Sequence, residues 1–230
     1  PEMPTDPSEY VHAIDRQRSF QAVALSAEDL ERTNLYRANA ERQRSIEAAG
    51  DLEEFLAGLE MQARIEPIGH ENAERSAQLL GRTNQFNLTL RRHTVGEVLS
   101  MAASPDWIAL AVRLADRFGD SGLISVVLAR VAERALKIEA WVMSCRVLRR
   151  GVEQFVMNHL HELARRRGLS AIRGTYVPGP KNALVEWHYA ALGFTQVERS
   201  AGRTPWEVFG SAERGSLVPP GQILRYDSDG

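Results

Sequence analysis

Cysteine is almost missing from this chain: its 230 residues contain one, Cys145. A single cysteine excludes an intramolecular disulfide framework and fits a reducing, cytoplasmic setting. Long apolar runs are missing too, and no stretch approaches the length of a membrane-spanning helix, so a membrane is not an expected partner. Charge of one sign does not dominate, because 28 Lys and Arg stand against 30 Asp and Glu for a formal net charge of −2. The field of the whole chain therefore supplies no reason to expect nucleic acid or an anionic surface as partner. The histidines and the cysteine show no metal-ligand spacing, and no metal site is expected. Internal repeats and low-complexity tracts are not apparent. The start, "PEMPTDPSEY", lacks an initiator Met, does not look like a signal peptide, and reads like a chain entered midway.

What is present suits a soluble globular protein: 43% hydrophobic and 25% charged residues, over a length that accommodates one core and an appendage. The chain changes character near Leu59. Before it, Ser26 with Asp29 and Asp51 with Glu54 make capping-box patterns, and "ERTNLYRANAERQRSIEAA" carries too few apolar residues for a deeply buried helix. Leu52, Phe55, Leu56 and Leu59 fall at helical spacing and predict a short amphipathic helix packed on the domain C-terminal to it. Residues 1–60 read as a helical arm or linker, 61–210 as the folded domain and 211–230 as a C-terminal tail.

From Met61 the pattern is mixed α+β. "MQARIEPI" alternates like a strand, while "HENAERSAQLLGRT" and "TVGEVLSMA" read as helices. Three strand-like runs come next, "WIALAVRLAD", "GLISVVLARV" and "KIEAWVMS", with "FGDSG" as a hairpin loop between the first two. Such neighbours pair antiparallel. Val152, Phe155, Val156, Leu160 and Leu163 mark one face of a helix whose terminal arginines suit the negative end of its dipole and whose C-cap is Gly168. "LSAIRGTYV" is another strand, "KNALVEWHYAALGF" a helix, and "TQVERS" and "TPWEVFG" two last strands. His159 falls at the edge of the apolar stripe, His161 on the polar side, and His188 on a different helical face from Tyr189.

The lone cysteine sits in "VMSCRVLRRGVE", between an apolar run and a basic, glycine-containing loop that opens a helix. A thiol beside Arg146, near Arg149 and Arg150 and at a helix mouth is expected to have a lowered pKa and hence nucleophilic character. A small apolar filler ending a buried strand is the competing reading. "TNQFN" gathers Thr83, Asn84, Gln85 and Asn87 around Phe86, either to hold a polar ligand or to satisfy an irregular loop. Arg91, Arg92 and Lys181 suit either an anion such as a phosphate or a solvated surface, the solvated surface being the reading for Arg92. His93 is a candidate base for Cys145. Asp116 and Asp120 flank "RFG" and are expected to shape its turn.

The order of elements resembles the GNAT acyltransferase fold: a mixed, mostly antiparallel sheet flanked by helices. Arg146, Arg149 and Gly151 occupy anchor positions of that family's [Q/R]-x-x-G-x-[G/A] loop, whose backbone N–H groups cradle a pyrophosphate at a helix N-terminus. Arg149 stands where the pattern has its first glycine, so the arginine either carries the strain or stands over the phosphates. Asn182, Ala183, Tyr189 and "LGF" resemble the asparagine, tyrosine and closing turn late in many GNAT domains, where the tyrosine often protonates the leaving thiolate.

Whole phrases carry a finer resemblance. "RTNQFNLTLRR", "VRLADRFGDSGLISVV", "WVMSCRVLRRGVE" and "VPGPKNALVEWHYAALGF" are similar to the carboxy-terminal part of FkbH-like proteins, and "LSAEDLERTNLYRANAERQ" to the segment before it. Those proteins join an HAD-type phosphatase domain to a GNAT-like domain and load the glyceryl unit of 1,3-bisphosphoglycerate onto an acyl carrier protein in polyketide biosynthesis. The only D-x-D in the chain is Asp227-Ser228-Asp229 in the C-terminal tail, not at the start of a phosphatase-like region, so the chain resembles the acyl-handling half. The resemblance implies Cys145 as the attachment point, with Asn182 and Tyr189 as its catalytic companions. It also implies Thr83, Asn84, Gln85, Asn87, Arg91 and Lys181 at the substrate, and Arg146, Arg149, Arg150 and Gly151 as a phosphate or pantetheine loop. No cofactor is then bound by the domain itself, which works on the phosphopantetheine of a carrier protein. A coenzyme A-dependent GNAT and a non-catalytic carrier-docking module are the alternatives.

Overall fold

The computed structural model describes residues 38, 40–42, 44, 52–197 and 204–209. The chain divides into two compact units, Pro1–Arg44 and Ser45–Gly230. In the first, residues 38, 40–42 and 44 are helical. Most of the expected arm, its Ser26 and Asp51 caps and the 211–230 tail lie outside the described residues.

The second unit is built on a seven-stranded sheet in the order β1-β2-β3-β4-β5-β7-β6. Its strands are β1 (Gln62–Pro67), β2 (Trp107–Asp116), β3 (Gly119–Ala132), β4 (Ala135–Met143), β5 (Ala171–Tyr176), β6 (Thr195–Gln196) and β7 (Thr204–Phe209). All neighbours pair antiparallel except β4 and β5. The exception comes from connectivity: β4 and β5 are joined by the 15-residue helix α4 (Val152–Arg166), long enough for a crossover, whereas β2, β3 and β4 are joined by tight turns. The central strands read as continuous apolar runs because both faces are covered. Ile108, Leu110, Val112 and Leu114 of β2 enter one core layer, which also holds the buried stripe of α4 and Phe55, Leu56 and Leu59 at the end of α1 (Leu52–Gly58). Ala109 and Ala111 enter the other, packed by α2 (Ala73–Arg82) and α3 (Val95–Ala102). Among the described residues no helix is long and apolar enough to cross a membrane.

Several boundaries differ from the sequence expectation for physical reasons. "FGDSG" is not all loop: the hairpin turns at Arg117–Phe118, and Gly119 to Gly122 enter β3 through an irregular register steadied by Asp120, whose carboxylate accepts from the Gly122 N–H at 2.6 Å. Asp116 shapes the turn as expected, accepting from the Phe118 N–H at 3.0 Å. The expected helix 181–194 is broken into a 3₁₀ turn, Ala183–Val185, and the short α5 (His188–Ala191), because Asn182 spends its side chain on neighbouring backbone. "TQVERS" contributes only the two residues of β6. His161, expected on the polar face, is buried in α4. Gly168 caps α4 with φ +64, the left-handed cap expected of it.

Candidate functional site

The sheet is splayed at its one parallel seam. β4 and β5 pair only from Ala135/Ala171 to Ile138/Gly174, while both strands run on. The gap holds the chain itself. Phe86 to Thr89 lie along the far half of β4: the Leu88 N–H donates to Trp141 O at 3.2 Å and the Met143 N–H to Phe86 O at 3.1 Å. On the other side the Val177 N–H donates to Leu88 O at 2.8 Å. Thr89 Oγ1 donates to the carbonyl of Glu139, the extra residue of a bulge between Leu128↔Ala140 and Ala129↔Ile138. Asn182, with no exposed surface, bolts the segment down: its Nδ2 donates to Asn87 O at 2.8 Å and Val177 O at 3.0 Å, and its Oδ1 accepts from the Gly179 N–H at 2.7 Å.

Beyond β4 the chain enters the basic loop. Ser144 holds it to the sheet by donating its N–H to Ile124 O, and a 3₁₀ turn covers Cys145–Val147. Val147 is buried, which turns Cys145 and Arg146 outward; the thiol is exposed. Arg146 Nε donates to Ser144 Oγ at 3.3 Å. Arg149 adopts φ +61 and Gly151 φ +82, so the arginine does carry left-handed backbone where a glycine would relax it. The freed amide is already used. Glu153, in the first turn of α4, reaches back so that its Oε1 accepts from the Arg149 N–H at 3.0 Å. Burial raises the Glu153 pKa, opposed by that hydrogen bond and by the Arg149 charge.

A cavity of about 410 Å³ opens beside this loop, walled by Phe86, Leu148, Arg149, Glu153, Gln154 and His188, with Trp187 at its rim 62% exposed. The Phe86 and Trp141 rings both meet His188 edge-on at 4.8 Å. Packed between them and half-buried, His188 has its pKa pushed down to about 3 by desolvation and is neutral at physiological pH.

Among known proteins, no family model matches the chain, and no curated protein matches it. Solved structures do. The GNAT domain of S. lividans PAT aligns with TM-score 0.50 at 18% identity, over 63% of this chain and 89% of that one. The protein has the GNAT fold. Other structures with this fold include the ribosomal-protein-S18-alanine N-acetyltransferase of Escherichia coli, with TM-score 0.49 and 12% identity over 68% of this chain and 99% of that one. Another is the PaiA N-acetyltransferase of Thermoplasma acidophilum in complex with coenzyme A, with TM-score 0.49 and 12% identity over 64% and 99%. At these identities the likeness establishes the GNAT fold and nothing finer.

The residues singled out from sequence do not converge on one point of that fold. Arg149 and Gly151 line the cavity beside the loop, while Cys145, three residues before its Leu148 wall, lies outside the lining. Tyr189 is wholly buried against Gly174, Trp141 and Phe194, and burial raises its phenol far above the usual value. Its hydroxyl approaches the Thr175 backbone without full hydrogen-bond geometry. Asn87 is buried with its side chain turned to Thr83 O and the Leu90 N–H, whereas Asn84, Gln85 and Lys181 are exposed. Arg91 lines a second cavity of about 550 Å³ on the β4–β5–β7 side, paired with Glu139. Arg150 makes an ion pair with the buried Asp116 carboxylate at 3.5 Å. His93 has Glu97, Arg91 and Glu139 as its charged neighbours, and burial lowers its pKa; Glu139 lies six residues before Cys145, up to about 20 Å along an extended chain. Sequence reasoning missed Glu153, Gln154 and His188. An acid in the first turn of a helix entered through a glycine is the available signal, and the sequence pattern assigns it to the helix alone.

Proposed function

We propose that this protein is an acyltransferase in which Cys145 takes the (phospho)glyceryl group of 1,3-bisphosphoglycerate and passes it to the phosphopantetheine thiol of an acyl carrier protein in polyketide assembly. The observation that carries the reading is the exposed thiol on a loop anchored by β4, with the exposed Arg146 and Arg149 beside it. The thiolate attacks the acyl carbon, a C–S bond forms, the C–O bond to phosphate breaks and inorganic phosphate departs. The carrier thiolate then attacks the thioester, and the Cys145 sulfur leaves with the electron pair. Arg146 and Arg149 supply positive charge for the departing phosphate and for the acidic face of a carrier. Asn182 serves this site indirectly, by fixing Asn87 and the segment around Phe86. A partner phosphatase domain of the HAD type supplies the dephosphorylation.

The second reading is a coenzyme A-dependent transferase with pyrophosphate at the α4 N-terminus. The left-handed backbone at Arg149 and Gly151 favours it, since successive residues of that kind are what an anion-binding turn is built from. Glu153 and the Phe86–Thr89 segment count against it, because they occupy the Arg149 amide and the backbone groups of the seam. Intact-protein mass spectrometry after incubation with freshly generated 1,3-bisphosphoglycerate separates the readings. The expected result is an adduct on the parent protein and none on Cys145→Ala; equal adducts, or none on a folded sample, would sink the cysteine mechanism.

A further inference from the structure

The cavity beside the Cys145 loop has an imbalance of donors and acceptors. Glu153 is only 8% exposed, and while its Oε1 accepts from the Arg149 N–H, its Oε2 has no partner. Gln154 Oε1 and His188 Nε2 are also buried without partners, and all three residues line the same space. A carboxylate and an amide oxygen only accept hydrogen bonds. Apart from Arg149, the rest of the wall is apolar, with Phe86, Val185 and Leu192 in it. Left empty of donors, such groups carry a desolvation cost, and a native fold tolerates that where a ligand is to repay it.

These acceptors select the chemistry of that ligand. The Arg149 charge in the wall already acts on Glu153, so a phosphate dianion would have to compete with that carboxylate for it while bringing acceptors to the orphan acceptors. An ammonium group would meet the Arg149 charge that already faces Glu153. Hydroxyl groups on a short uncharged chain fit both the orphan acceptors and the apolar remainder. The position fits too: Leu148 is three residues after Cys145, so no more than about 11 Å of chain separates the wall from the thiol.

We propose that this cavity seats the uncharged, hydroxyl-bearing acyl chain, and that Glu153 sets its specificity by accepting from a hydroxyl and rejecting the phosphorylated form. The proposal rests on the acyl-transfer reading above and deepens it: a phosphomonoester hydrolysis must precede seating of the chain, whichever order attachment takes.

The test uses the full chain carrying Cys145→Ala, so that only non-covalent binding is read. The probes are the glyceryl thioester of N-acetylcysteamine and its 3-phosphorylated counterpart, titrated by calorimetry and by intrinsic tryptophan fluorescence. Saturable binding of the neutral probe is expected, with the phosphorylated probe weaker by about tenfold or more. Glu153→Gln, which keeps an acceptor for the Arg149 N–H, should bring the two affinities together. Gln154→Leu should weaken the neutral probe while preserving the preference, and it carries the test if Glu153→Gln does not fold. Equal affinities in the parent, an unchanged preference in Glu153→Gln, tighter binding of the 3-amino analogue, or no saturable binding at all would each overturn the assignment. These titrations do not depend on Cys145 chemistry, so a missing adduct in the mass experiment and a missing preference here are separate failures.

Discussion

Replacing Asn182 by alanine tests whether that residue is chiefly a bolt in the sheet or chiefly a participant in chemistry. The side chain has no exposed surface and holds three backbone groups: the carbonyls of Asn87 and Val177 and the N–H of Gly179. Alanine leaves the buried Asn87 carbonyl and the part-buried Val177 carbonyl and Gly179 N–H without that partner. At about 1–2 kcal/mol for the buried group and about 0.5–1 for each part-buried one, the expected loss is roughly 2–4 kcal/mol, a large share of ordinary domain stability. Urea unfolding monitored by circular dichroism reads this as a midpoint lowered by about 2 M at an ordinary slope for the size. Asn182→Asp sharpens the test. Its carboxylate would face two carbonyl oxygens at neutral pH, and its protonated form could donate to one of them, so its deficit relative to the parent should shrink below about pH 5. A loss under about 1 kcal/mol for Asn182→Ala, with acyl transfer nevertheless abolished, would refute the bolt and return Asn182 to the chemistry.

Two further outcomes concern buried groups. His188 is neutral in the fold with a pKa of about 3, while the unfolded chain protonates near 6.5. Its contribution is therefore fully present above pH 6.5 and is lost as pH falls towards 3, at up to about 1.4 kcal/mol per pH unit. His159, at about 4, acts in the same direction, and Glu153, raised by burial, opposes them below its own folded value. Unfolding free energies between pH 6.5 and 4.5 should show a shallower fall in His188→Gln; an identical slope would place the linkage elsewhere. Gly174→Ala puts a Cβ 2.2 Å from Cζ of the wholly buried Tyr189, so a loss of about 3 kcal/mol is expected, partly recovered by adding Tyr189→Leu. A near-neutral Gly174→Ala would mean that Tyr189 has room to move.

The sheet was legible because burial on both faces leaves an unmistakable print. "WIALAVRLAD" matches β2 residue for residue, whereas the parallel β4–β5 pair was contained only in the general expectation of a mixed sheet. Turns were less legible where the chain departs from the usual turn residues: Glu133 and Arg134 both adopt positive φ between β3 and β4 without a glycine to mark them. The broken helix at 183–191 escapes the sequence pattern because apolar spacing does not reveal that Asn182 is committed to Asn87, 95 residues away. The site was half legible. Cys145 and the strained Arg149 stood out as residue types in a pattern, whereas Glu153 and His188 acquire meaning only when folding turns them into one cavity.

The short parallel seam has a consequence for how the protein breathes. Among the described residues, only the register from Ala135/Ala171 to Ile138/Gly174 pairs the β1–β4 strands directly with the β5–β7 group, and Phe86–Thr89 acts as a splice across the remainder. Opening that splice exposes the Leu88, Met143 and Val177 amides in one event, so their protons should exchange with solvent at a shared rate, faster than those inside β2 and β3. The exchange pattern would then report a cooperative unit whose boundary runs through the sheet, alongside the loop that carries the thiol.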